Sequence, residues 1–259
     1  MSFFKPEGAF FILGMFGANK HKMLKWINDL RNISSFNNEK STIFAADELI
    51  TWGKSLDFLR EEKFVEIANN KFVGSNEHET EHRALVWRRH VLAWAGEQCK
   101  RLKGDFCEFG CYDAAASDFL NDYCDLEALG INFYLYDTFE PPPDSEAFPK
   151  HSKSLFDEVT ERFKDKKNVV IIKGILPSSL LENYPKKISF AHIDLNNAKA
   201  EMGVLEFIYD KVIKGGIIIF DDYGWAHYKD QMQLEKKFLE DKGQRILELP
   251  TGQGLVIKV

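Results

Sequence analysis

The sequence predicts an α/β fold, a doubly wound seven-stranded sheet with a helical N-terminal extension. After Gly104, short β-branched and aromatic runs alternate with amphipathic helical patterns, as they do in repeated strand-helix-strand units. Such apolar strands are typical of a parallel sheet that helices cover on both faces. Only the turn from Pro250 to Gly254 separates the last two runs, so these two strands must pair as an antiparallel hairpin.

Each element is bounded by turn residues or by a change in hydrophobic period. The predicted strands are Asp105–Phe109, Asn132–Tyr136, Asn168–Ile172, Ile188–Ile193, Ile217–Phe220, Arg245–Leu249 and Leu255–Val259. The predicted helices between them are Ala115–Leu129, Ser152–Lys164, Ser178–Asn183, Ala200–Val212 and Lys229–Lys242. A last strand that runs against the others distinguishes this pattern from the dinucleotide fold of parallel strands.

Residues 1–103 have a different hydrophobic period from the rest of the chain. From about Lys20 to Lys103 the apolar residues recur at helical spacing, as they do from Leu49 to Leu59. The sequence therefore predicts two parts, a helical extension over 1–103 and a ligand-binding domain over 104–259. The open edge of such a sheet needs shielding from water, so we expect the extension to be a lid or the surface of a homo-oligomer.

Composition and charge exclude several classes of function. The 259 residues carry a formal charge of −6 with the two signs mixed along the chain, which argues against nucleic acid as a partner. No stretch approaches the roughly 20 apolar residues of a membrane span, so we expect no membrane partner. The four cysteines form no CxxC pair, which favours reduced thiols and a cytoplasmic location.

The first two strands are followed by residues that suit a nucleoside. Gly110 can let the backbone turn tightly against a ligand at the N-terminus of the next helix. Asp137 can accept both hydroxyls of a ribose. Each residue also has a purely structural interpretation. Gly110 could be required only because a side chain would not fit in the strand-to-helix turn, and Asp137 could cap a helix or hold a loop. Because the two residues follow consecutive strands, together they favour a nucleoside site.

Carboxylates follow the fourth and fifth strands, which are neighbours in the usual strand order. Asp194, Asp221 and Asp222 would therefore converge at one edge of the sheet. Three close carboxylates repel one another unless a cation joins them, and oxygen ligands suit Mg²⁺, Ca²⁺ or Mn²⁺. The alternative is that Asp194 binds a cofactor while the other two acids cap the next helix. His192 has the same strand parity as Asp194, so it is either a base near neutral pH or a hydrogen-bonded structural residue.

Two further groups of residues lie near the same edge. Tyr223 follows the fifth strand and Gln253 precedes the seventh, so they could contact a substrate or simply pack. Arg83, Arg88 and Arg89 precede the first strand, where they either reach a carboxylate or phosphate or form a solvated helix face. The sequence leaves both sets of alternatives open.

With these residues, the chain resembles the class I S-adenosylmethionine-dependent methyltransferases, and among them the macrocin O-methyltransferase-like group of sugar O-methyltransferases. The resemblance covers about 155 residues, from Gly104 to the C-terminus. It is carried by the motifs GDFCEFG (104–110), YDTFE (136–140), ISFAHIDLNNA (188–198), KGGIIIFDDYG (214–224) and LPTGQGLVIK (249–258). Taken together, these motifs are specific.

The resemblance implies a strand order of 3-2-1-4-5-7-6, with S-adenosylmethionine over the ends of the first, second and fourth strands. By position, Glu108 and Gly110 would line the methionine end of the cofactor, and Asp137 would bind its ribose. The further cofactor contacts that it implies are Cys111, Thr138, Phe139 and Asp194. The positions of the divalent metal ligands in metal-dependent members are matched by Asp194, Asp221 and Asp222.

Two positions depart from the pattern of many relatives. Ala114 stands where a second glycine is common, which narrows the space at the cofactor loop. Asn196 stands where many relatives have an aspartate. An amide can still ligate through its carbonyl oxygen but carries no charge, so we expect a lower metal affinity than in those relatives.

These residues lead to a hypothesis for the reaction. S-adenosylmethionine supplies the methyl group, and the protein positions and deprotonates a hydroxyl of a sugar, a glycan or another small acceptor. A divalent ion, predicted as Mg²⁺, would lower the pKa of that hydroxyl when two neighbouring hydroxyls chelate it. Asp194 or His192 would accept the proton. The alternatives are a metal-independent methyltransferase and a non-catalytic nucleoside-binding protein of the same fold.

Overall fold

The computed structural model describes residues 43–52, 54–72, 85–140, 155–181 and 183–259. The chain divides into two compact units between Leu59 and Arg60. Each unit is described by itself below. Among the described residues, no helix is both long and apolar enough to cross a membrane.

The smaller unit contains a β-hairpin. Strands β1 (Ile43–Ala46) and β2 (Leu49–Trp52) pair antiparallel, and the turn residues Asp47 and Glu48 have φ angles of 52° and 54°. A two-residue turn with two positive φ angles matches the right-handed twist of paired strands. The prediction of a helix over this stretch is wrong, because in so short a run the apolar residues fit a strand as well as a helix. The predicted helical region before residue 43 lies outside the described residues.

The larger unit is built on a seven-stranded sheet. Its strands are β3 (Asp105–Phe109), β4 (Phe133–Asp137), β5 (Val169–Lys173), β6 (Ile188–Ile193), β7 (Val212–Phe220), β8 (Leu247–Glu248) and β9 (Gly254–Ile257). They lie in the order β5-β4-β3-β6-β7-β9-β8. The strands from β5 to β7 pair in parallel, whereas β9 runs antiparallel to β7 and β8. Numbered within the sheet this order is 3-2-1-4-5-7-6, so the predicted order and the reversed last strand are confirmed.

Helices accompany the strands of the larger unit. The α-helices of the described residues are α1 (Glu62–Phe72), α2 (Val86–Cys99), α3 (Ala115–Tyr123), α4 (Leu155–Arg162), α5 (Ala198–Ile208) and α6 (Lys229–Asp241). Short 3₁₀ segments of this unit lie at Ser178–Leu181, Tyr209–Lys211 and Ala226–Tyr228, and a further segment, Asp57–Arg60, begins in the smaller unit. The predicted helix Ala115–Leu129 ends early, at Tyr123, because Asp125 adopts a φ of 56°, which a right-handed helix cannot contain.

Helices α1 and α2 belong to the same compact unit as the sheet, although they precede residue 104, where the predicted ligand-binding domain begins. Helix α2 contacts β6, β7 and α3 and buries Leu92, Ala95 and Cys99 completely or nearly so. Polar residues of α2 are therefore close to the central strands. The role of residues 1–103 as a lid or an oligomer surface stays a prediction.

The centre of the sheet is buried on both faces. Every residue of β6 is buried. The rings of Phe106, Phe133 and Phe190, from three adjacent strands, pack at centroid distances of 5.9 and 5.0 Å. Burial of each ring contributes roughly 2 kcal/mol. This packed centre holds the loops that follow the strands in fixed positions.

Candidate active site

The predicted site residues follow adjacent strands in register. The last residues of β3, β6 and β7 pair with one another, Phe109 with Ile193 and Ile193 with Phe220. The next N–H groups also bond across the sheet, from Asp194 to the oxygen of Phe109 at 2.8 Å and from Asp221 to that of Ile193 at 2.9 Å. The acids that follow β6 and β7 therefore lie side by side, as the strand order requires.

Gly110 lies where the strand order diverges, between β3 and β6. Its φ is +87°, and a Cβ atom there would lie 1.9 Å from the backbone oxygen of Asp194. The loop after β6 passes so close that no side chain fits at this position. The steric interpretation of Gly110 is therefore correct, and this divergence of the strands is also where ligands bind in such sheets.

The carboxylate of Asp137 joins two loops. Its Oδ2 accepts the N–H of Tyr112 at 2.8 Å, and its Oδ1 accepts the N–H of Phe139 at 2.8 Å. A carboxylate oxygen has room for a second hydrogen bond, and Asp137 is only half-buried. Asp137 therefore has the structural role that the sequence left open, that of a loop carboxylate that accepts backbone N–H groups. It also has capacity to accept the hydroxyls of a ribose, and this binding stays a prediction.

Strained backbone is concentrated in the loops that follow β3, β4 and β6. Of the seven residues other than glycine with positive φ in the described chain, four lie in these loops: Tyr112, Ala114, Phe139 and Asn196, with φ angles between 49° and 56°. Such conformations cost about 1 kcal/mol or more each and collect at binding sites. At Ala114 a glycine, which the resemblance implies at this position, would adopt the conformation without strain.

The remaining predicted cofactor contacts lie in the same loops. Cys111 and Phe139 are buried, and the Phe139 ring packs on Phe156 at a centroid distance of 5.3 Å. Thr138 is half-buried and donates its hydroxyl to the carbonyl of Glu140 at 3.2 Å. The side chains of Cys111 and Phe139 thus face the protein, so any contact of theirs with a cofactor would be made by the backbone.

A buried chain of hydrogen bonds runs from Glu108 through His192 to Asp221. Nδ1 of His192 lies 2.8 Å from Oε1 of Glu108, and Nε2 lies 3.2 Å from Oδ1 of Asp221. Burial by itself would lower the pKa of His192, but the hydrogen bonds and charges of the two carboxylates outweigh it and raise the pKa to about 10. His192 is therefore an imidazolium at neutral pH.

This arrangement corrects the predicted role of His192 as a proton acceptor. A base needs an unprotonated nitrogen within reach of the substrate, whereas His192 is 2% exposed and both ring nitrogens are engaged. Its structural alternative is correct. Glu108 is also buried, and its carboxylate accepts the hydroxyl of Ser117 as well as the His192 ring. The contact of Glu108 with the methionine end of the cofactor stays a prediction.

Arg88 of α2 reaches the acids that follow β7. Its Nη1 lies 2.5 Å from Oδ2 of Asp221 and 3.2 Å from Oδ1 of Asp222. Of the two alternatives for the arginines, contact with a carboxylate is therefore correct for Arg88. Arg89 is buried as well, and Arg83 lies outside the described residues.

The surroundings of the three carboxylates separate their pKa values. Burial alone would raise the pKa of Asp221, but the charge of Arg88 and the hydrogen bond from His192 hold it well below its usual range. Burial and the charge of Asp221 raise the pKa of Asp222 to about 6. Burial and the charges of Asp221 and Asp222 also raise the pKa of Asp194. A raised pKa suits a proton acceptor, which is the predicted role of Asp194.

The residues do not fit the predicted metal site. Oδ2 of Asp221 accepts from Arg88, and its Oδ1 accepts from His192 and Gln253. Oδ1 of Asp222 also accepts from Arg88. A divalent ion needs open anionic oxygens, whereas these oxygens already face N–H donors, two of them on positively charged side chains. Within the described parts of the chain, no group of three or more His, Cys, Asp or Glu side chains is placed to hold a metal ion.

Neither predicted substrate residue is exposed. Gln253 is completely buried, its Nε2 donates to Oδ1 of Asp221 at 2.8 Å, and its Oε1 accepts the hydroxyl of Thr251 at 3.0 Å. Tyr223 is buried in the core, with its ring 6.4 Å from that of Phe220. The predicted substrate contacts are therefore corrected: both side chains pack inside the protein, because the C-terminal hairpin folds onto the end of β7.

One residue that holds the site was missed. Oε1 of Glu201, in α5, accepts the N–H of Leu195 at 2.9 Å and so holds the loop that carries Asp194. Asn197 caps α5 by accepting the N–H of Ala200 at 3.0 Å. An acid in the first turn of a helix with an asparagine cap is a recognisable signal, and it could have marked Glu201 as a residue that organises this loop.

A sheet of this order, with a glycine turn after its first strand and acids after the second and fourth, is the architecture of the class I S-adenosylmethionine-dependent methyltransferases. The sequence profile of the macrocin-O-methyltransferase family (TylF) matches residues 96–245, which is more than half of the chain. The chain belongs to this family and is an S-adenosylmethionine-dependent O-methyltransferase.

Solved structures with a similar fold include three methyltransferases. The O-methyltransferase NovP has a TM-score of 0.56 and 16% identity, with coverage of 66% of this chain and 79% of that chain. PaMTH1 of Podospora anserina, solved with SAH bound, has a TM-score of 0.54 and 12% identity, with coverage of 93% of this chain and 97% of that chain. The calicheamicin methyltransferase CalS11 has a TM-score of 0.52 and 17% identity, with coverage of 80% of this chain and 98% of that chain. At these identities the likeness shows the fold alone. Among proteins of curated function, none matches the sequence.

Proposed function

We propose that this enzyme methylates a hydroxyl of a sugar or of another small hydroxylated acceptor, in the crevice at the carboxyl ends of β3, β4 and β6. Membership of the macrocin-O-methyltransferase family supports the acceptor class. The observation that carries the location is the strained backbone of the three loops that follow these strands, since strain of this kind persists where a ligand site requires it.

The residues of these loops fit S-adenosylmethionine, whose sulfonium supplies the methyl group. Asp137 would hold the ribose, because each of its oxygens has capacity for a further hydrogen bond. Gly110 would let the loop after β3 turn tightly beside the N-terminus of α3, where the methionine end would lie, because its positive φ and the nearby backbone of Asp194 admit no side chain. Backbone groups of Cys111 and Phe139 would complete the contacts.

Asp194 would accept the proton of the acceptor hydroxyl. It follows β6 directly, is half-buried and has a raised pKa, which makes its carboxylate a better base than an exposed aspartate. Nδ2 of Asn196 donates to its Oδ1 at 3.2 Å and so restricts the rotation of the carboxylate. No step passes through a metal ion, because the predicted ligands Asp221 and Asp222 are paired with Arg88.

The proposal includes a cellular location and partners for the enzyme. The four cysteines are buried and free, which supports the cytoplasmic location, where thiols stay reduced. The partner is the small acceptor itself. Assembly into a homo-oligomer through residues 1–103 stays a prediction.

Calorimetric titration of S-adenosylmethionine, and separately of NAD, tests the cofactor. We expect micromolar binding of S-adenosylmethionine, no binding of NAD, and binding at least tenfold weaker in Asp137→Asn. The variant Asp157→Asn, in an exposed position of α4, is the matched control and should bind like the wild type. Failure of the folded wild type to bind S-adenosylmethionine would refute the proposal.

Transfer of labelled methyl groups to a panel of acceptors then tests the acceptor class. The panel contains free sugars, nucleotide sugars, glycosides and catechols. Transfer to members that carry a sugar hydroxyl is expected. Transfer confined to catechols would contradict the sugar assignment and leave the cofactor assignment intact.

A further inference from the structure

Arg88 is a buried cation directed at the acids that follow β7. It is 7% exposed, and its Nη1 contacts Oδ2 of Asp221 at 2.5 Å, Oδ1 of Asp222 at 3.2 Å and the backbone oxygen of Asp221 at 3.5 Å. The guanidinium lies 5.0 Å from the ring centroid of Trp225, and a cation–π contact of this kind restrains its position. A residue 133 positions away in sequence thus supplies positive charge to this edge of the sheet.

Hydrogen bonds from three side chains fix the position of the Asp221 carboxylate. Gln253 donates to Oδ1 at 2.8 Å and His192 at 3.2 Å, while Arg88 occupies Oδ2. These three donors come from the turn before β9, from β6 and from α2. Displacement of any one of these elements would therefore leave the carboxylate with two donors. A metal ion would have to displace Arg88 from both carboxylates, and separation of a buried ion pair is strongly unfavourable.

We propose that Arg88 takes the place of the divalent ion of metal-dependent relatives: its guanidinium neutralises Asp221 and Asp222, holds them beside Asp194 and excludes a metal from this edge. The inference rests on the proposed methyl transfer at this site. Arg88 is a positioning residue, because it acts through the two carboxylates.

The proposal also concerns the acceptor. A metal ion binds two neighbouring hydroxyls by chelation, whereas a guanidinium already committed to two carboxylates does not. The acceptor therefore needs to present only the hydroxyl that is methylated. Acceptors without an adjacent second hydroxyl belong to the substrate class of this enzyme.

Titration with Mn²⁺, followed by the electron paramagnetic resonance of the free ion, tests the exclusion of metal. The samples are EDTA-treated wild type, Asp222→Asn, Arg88→Lys, Arg88→Met, and Arg88→Met combined with Asp222→Asn. The wild type and Arg88→Lys, which retains the charge, should bind no Mn²⁺ below millimolar concentration. Arg88→Met should bind one ion at least tenfold more tightly, and the double variant should lose that ion.

Two outcomes overturn the inference. One is a wild type that binds one Mn²⁺ and loses it in Asp222→Asn. The other is a folded Arg88→Met that binds no Mn²⁺, because the carboxylates would then not be a cation site. If Arg88→Met does not fold even with MnCl₂ present, as judged by circular dichroism, Arg88→Gln replaces it in the titration with the same expected result and the same contradicting one.

Calorimetry of S-adenosylmethionine on the same samples separates this inference from the proposed function. Wild type that binds both the cofactor and Mn²⁺ refutes the inference alone. Wild type that excludes Mn²⁺ but does not bind the cofactor refutes the proposed function alone. Addition of EDTA should change the cofactor affinity of the wild type by less than twofold.

Discussion

The carboxylate of Asp221 receives three side-chain donors from three different elements. Arg88 donates to one oxygen, and His192 and Gln253 donate to the other. Two of these donors are positively charged at neutral pH. Removal of one partner from a buried ion pair costs more than the pair contributes, because the remaining charge loses its compensation. Asp221 is thus the residue on which the arrangement of the others depends.

Substitution of Asp221 should therefore destabilise the protein more than substitution of its neighbour. We expect Asp221→Asn to lower the free energy of unfolding by about 3 kcal/mol. Asp222→Asn, which loses only the longer contact with Arg88, should lower it by about 1 kcal/mol or less. Urea unfolding of the two isosteric variants measures the difference. Equal losses would show that Asp221 does not hold the network.

Gly110 and Gly130 form a matched pair for testing the close approach of β3 and β6. Both have positive φ, +87° and +67°, but a Cβ atom at Gly130 would have no neighbour within 4 Å, whereas at Gly110 it would meet the backbone of Asp194. Gly130→Ala should lower the free energy of unfolding by about 1 kcal/mol, because only the positive φ disfavours alanine there. Gly110→Ala should cost at least about 3 kcal/mol, because backbone must also move.

Thermal and urea unfolding of the two alanine variants check this prediction. Cofactor titration adds a second readout: Gly130→Ala should bind S-adenosylmethionine normally, and Gly110→Ala should bind it at least tenfold more weakly. Similar stability of the two variants would show that the loop after β6 can move away from Gly110 at little cost.

Helices α5 and α6 meet through two buried glutamates. Glu201 and Glu235 are 1% and 0% exposed, and Glu201 also accepts the N–H of Leu195. Burial and the neighbouring carboxyl group of Glu201 raise the pKa of Glu235 to about 11, so Glu235 is protonated at neutral pH. A neutral Glu235 therefore lies beside Glu201, the residue that holds the loop carrying Asp194.

The proton held by Glu235 should make the stability of the protein depend on pH. The unfolded chain releases the proton above an ordinary glutamate pKa of 4.5, whereas the folded protein retains it up to about pH 11. Stability should therefore fall as the pH rises through that window, by up to about 1.4 kcal/mol per pH unit. Glu235→Gln, which is isosteric and uncharged at every pH, should remove this slope and be more stable than wild type above neutral pH.

Urea unfolding at several pH values from mildly acidic to mildly alkaline measures the slope. Glu240→Gln, an exposed position of the same helix, is the control and should keep the slope of the wild type. A slope that Glu235→Gln leaves unchanged would mean that Glu235 is ionised in the folded protein.

The last strand of the chain lies inside the sheet, between β7 and β8. The turn that precedes β9 carries Gln253, whose side chain donates to Asp221. Pairing of β9 with β7 thus completes the sheet and also brings a donor to the active site. Formation of the sheet and assembly of the site are therefore coupled, and defects in β9 should affect both.

Val256 and Ile257, adjacent in β9, test this coupling. Val256 is 2% exposed, whereas Ile257 is 47% exposed. Val256→Ala should lower the free energy of unfolding by about 2 kcal/mol, through lost burial and the cavity left behind. Ile257→Ala should lower it by less than about 1 kcal/mol. Comparable losses, measured by urea unfolding, would place β9 outside the cooperative core.

The strands, the reversed last strand and the place of the site were predictable from local patterns, whereas the order of the sheet followed from the family resemblance. Apolar runs, the helical periods between them and the Pro250 to Gly254 turn predict the strands and the reversed hairpin, because strand length, turn residues and hydrophobic period are local properties. In a parallel sheet the strands end at one edge, so the convergence of Asp194, Asp221 and Asp222 followed as well. The same method failed from Leu49 to Trp52, where the run was too short to distinguish a strand from a helix.

The chemical state of the site depended on the tertiary structure. Glu108 and Asp221 lie 84 and 29 positions from His192 in sequence, and Arg88 lies 133 positions from Asp221. Protonation of His192, burial of Gln253 and occupation of Asp221 by a guanidinium all depend on distances between such remote residues. Local sequence patterns contain neither those distances nor the exclusion of water, and these two quantities set a pKa and determine which cation a carboxylate binds.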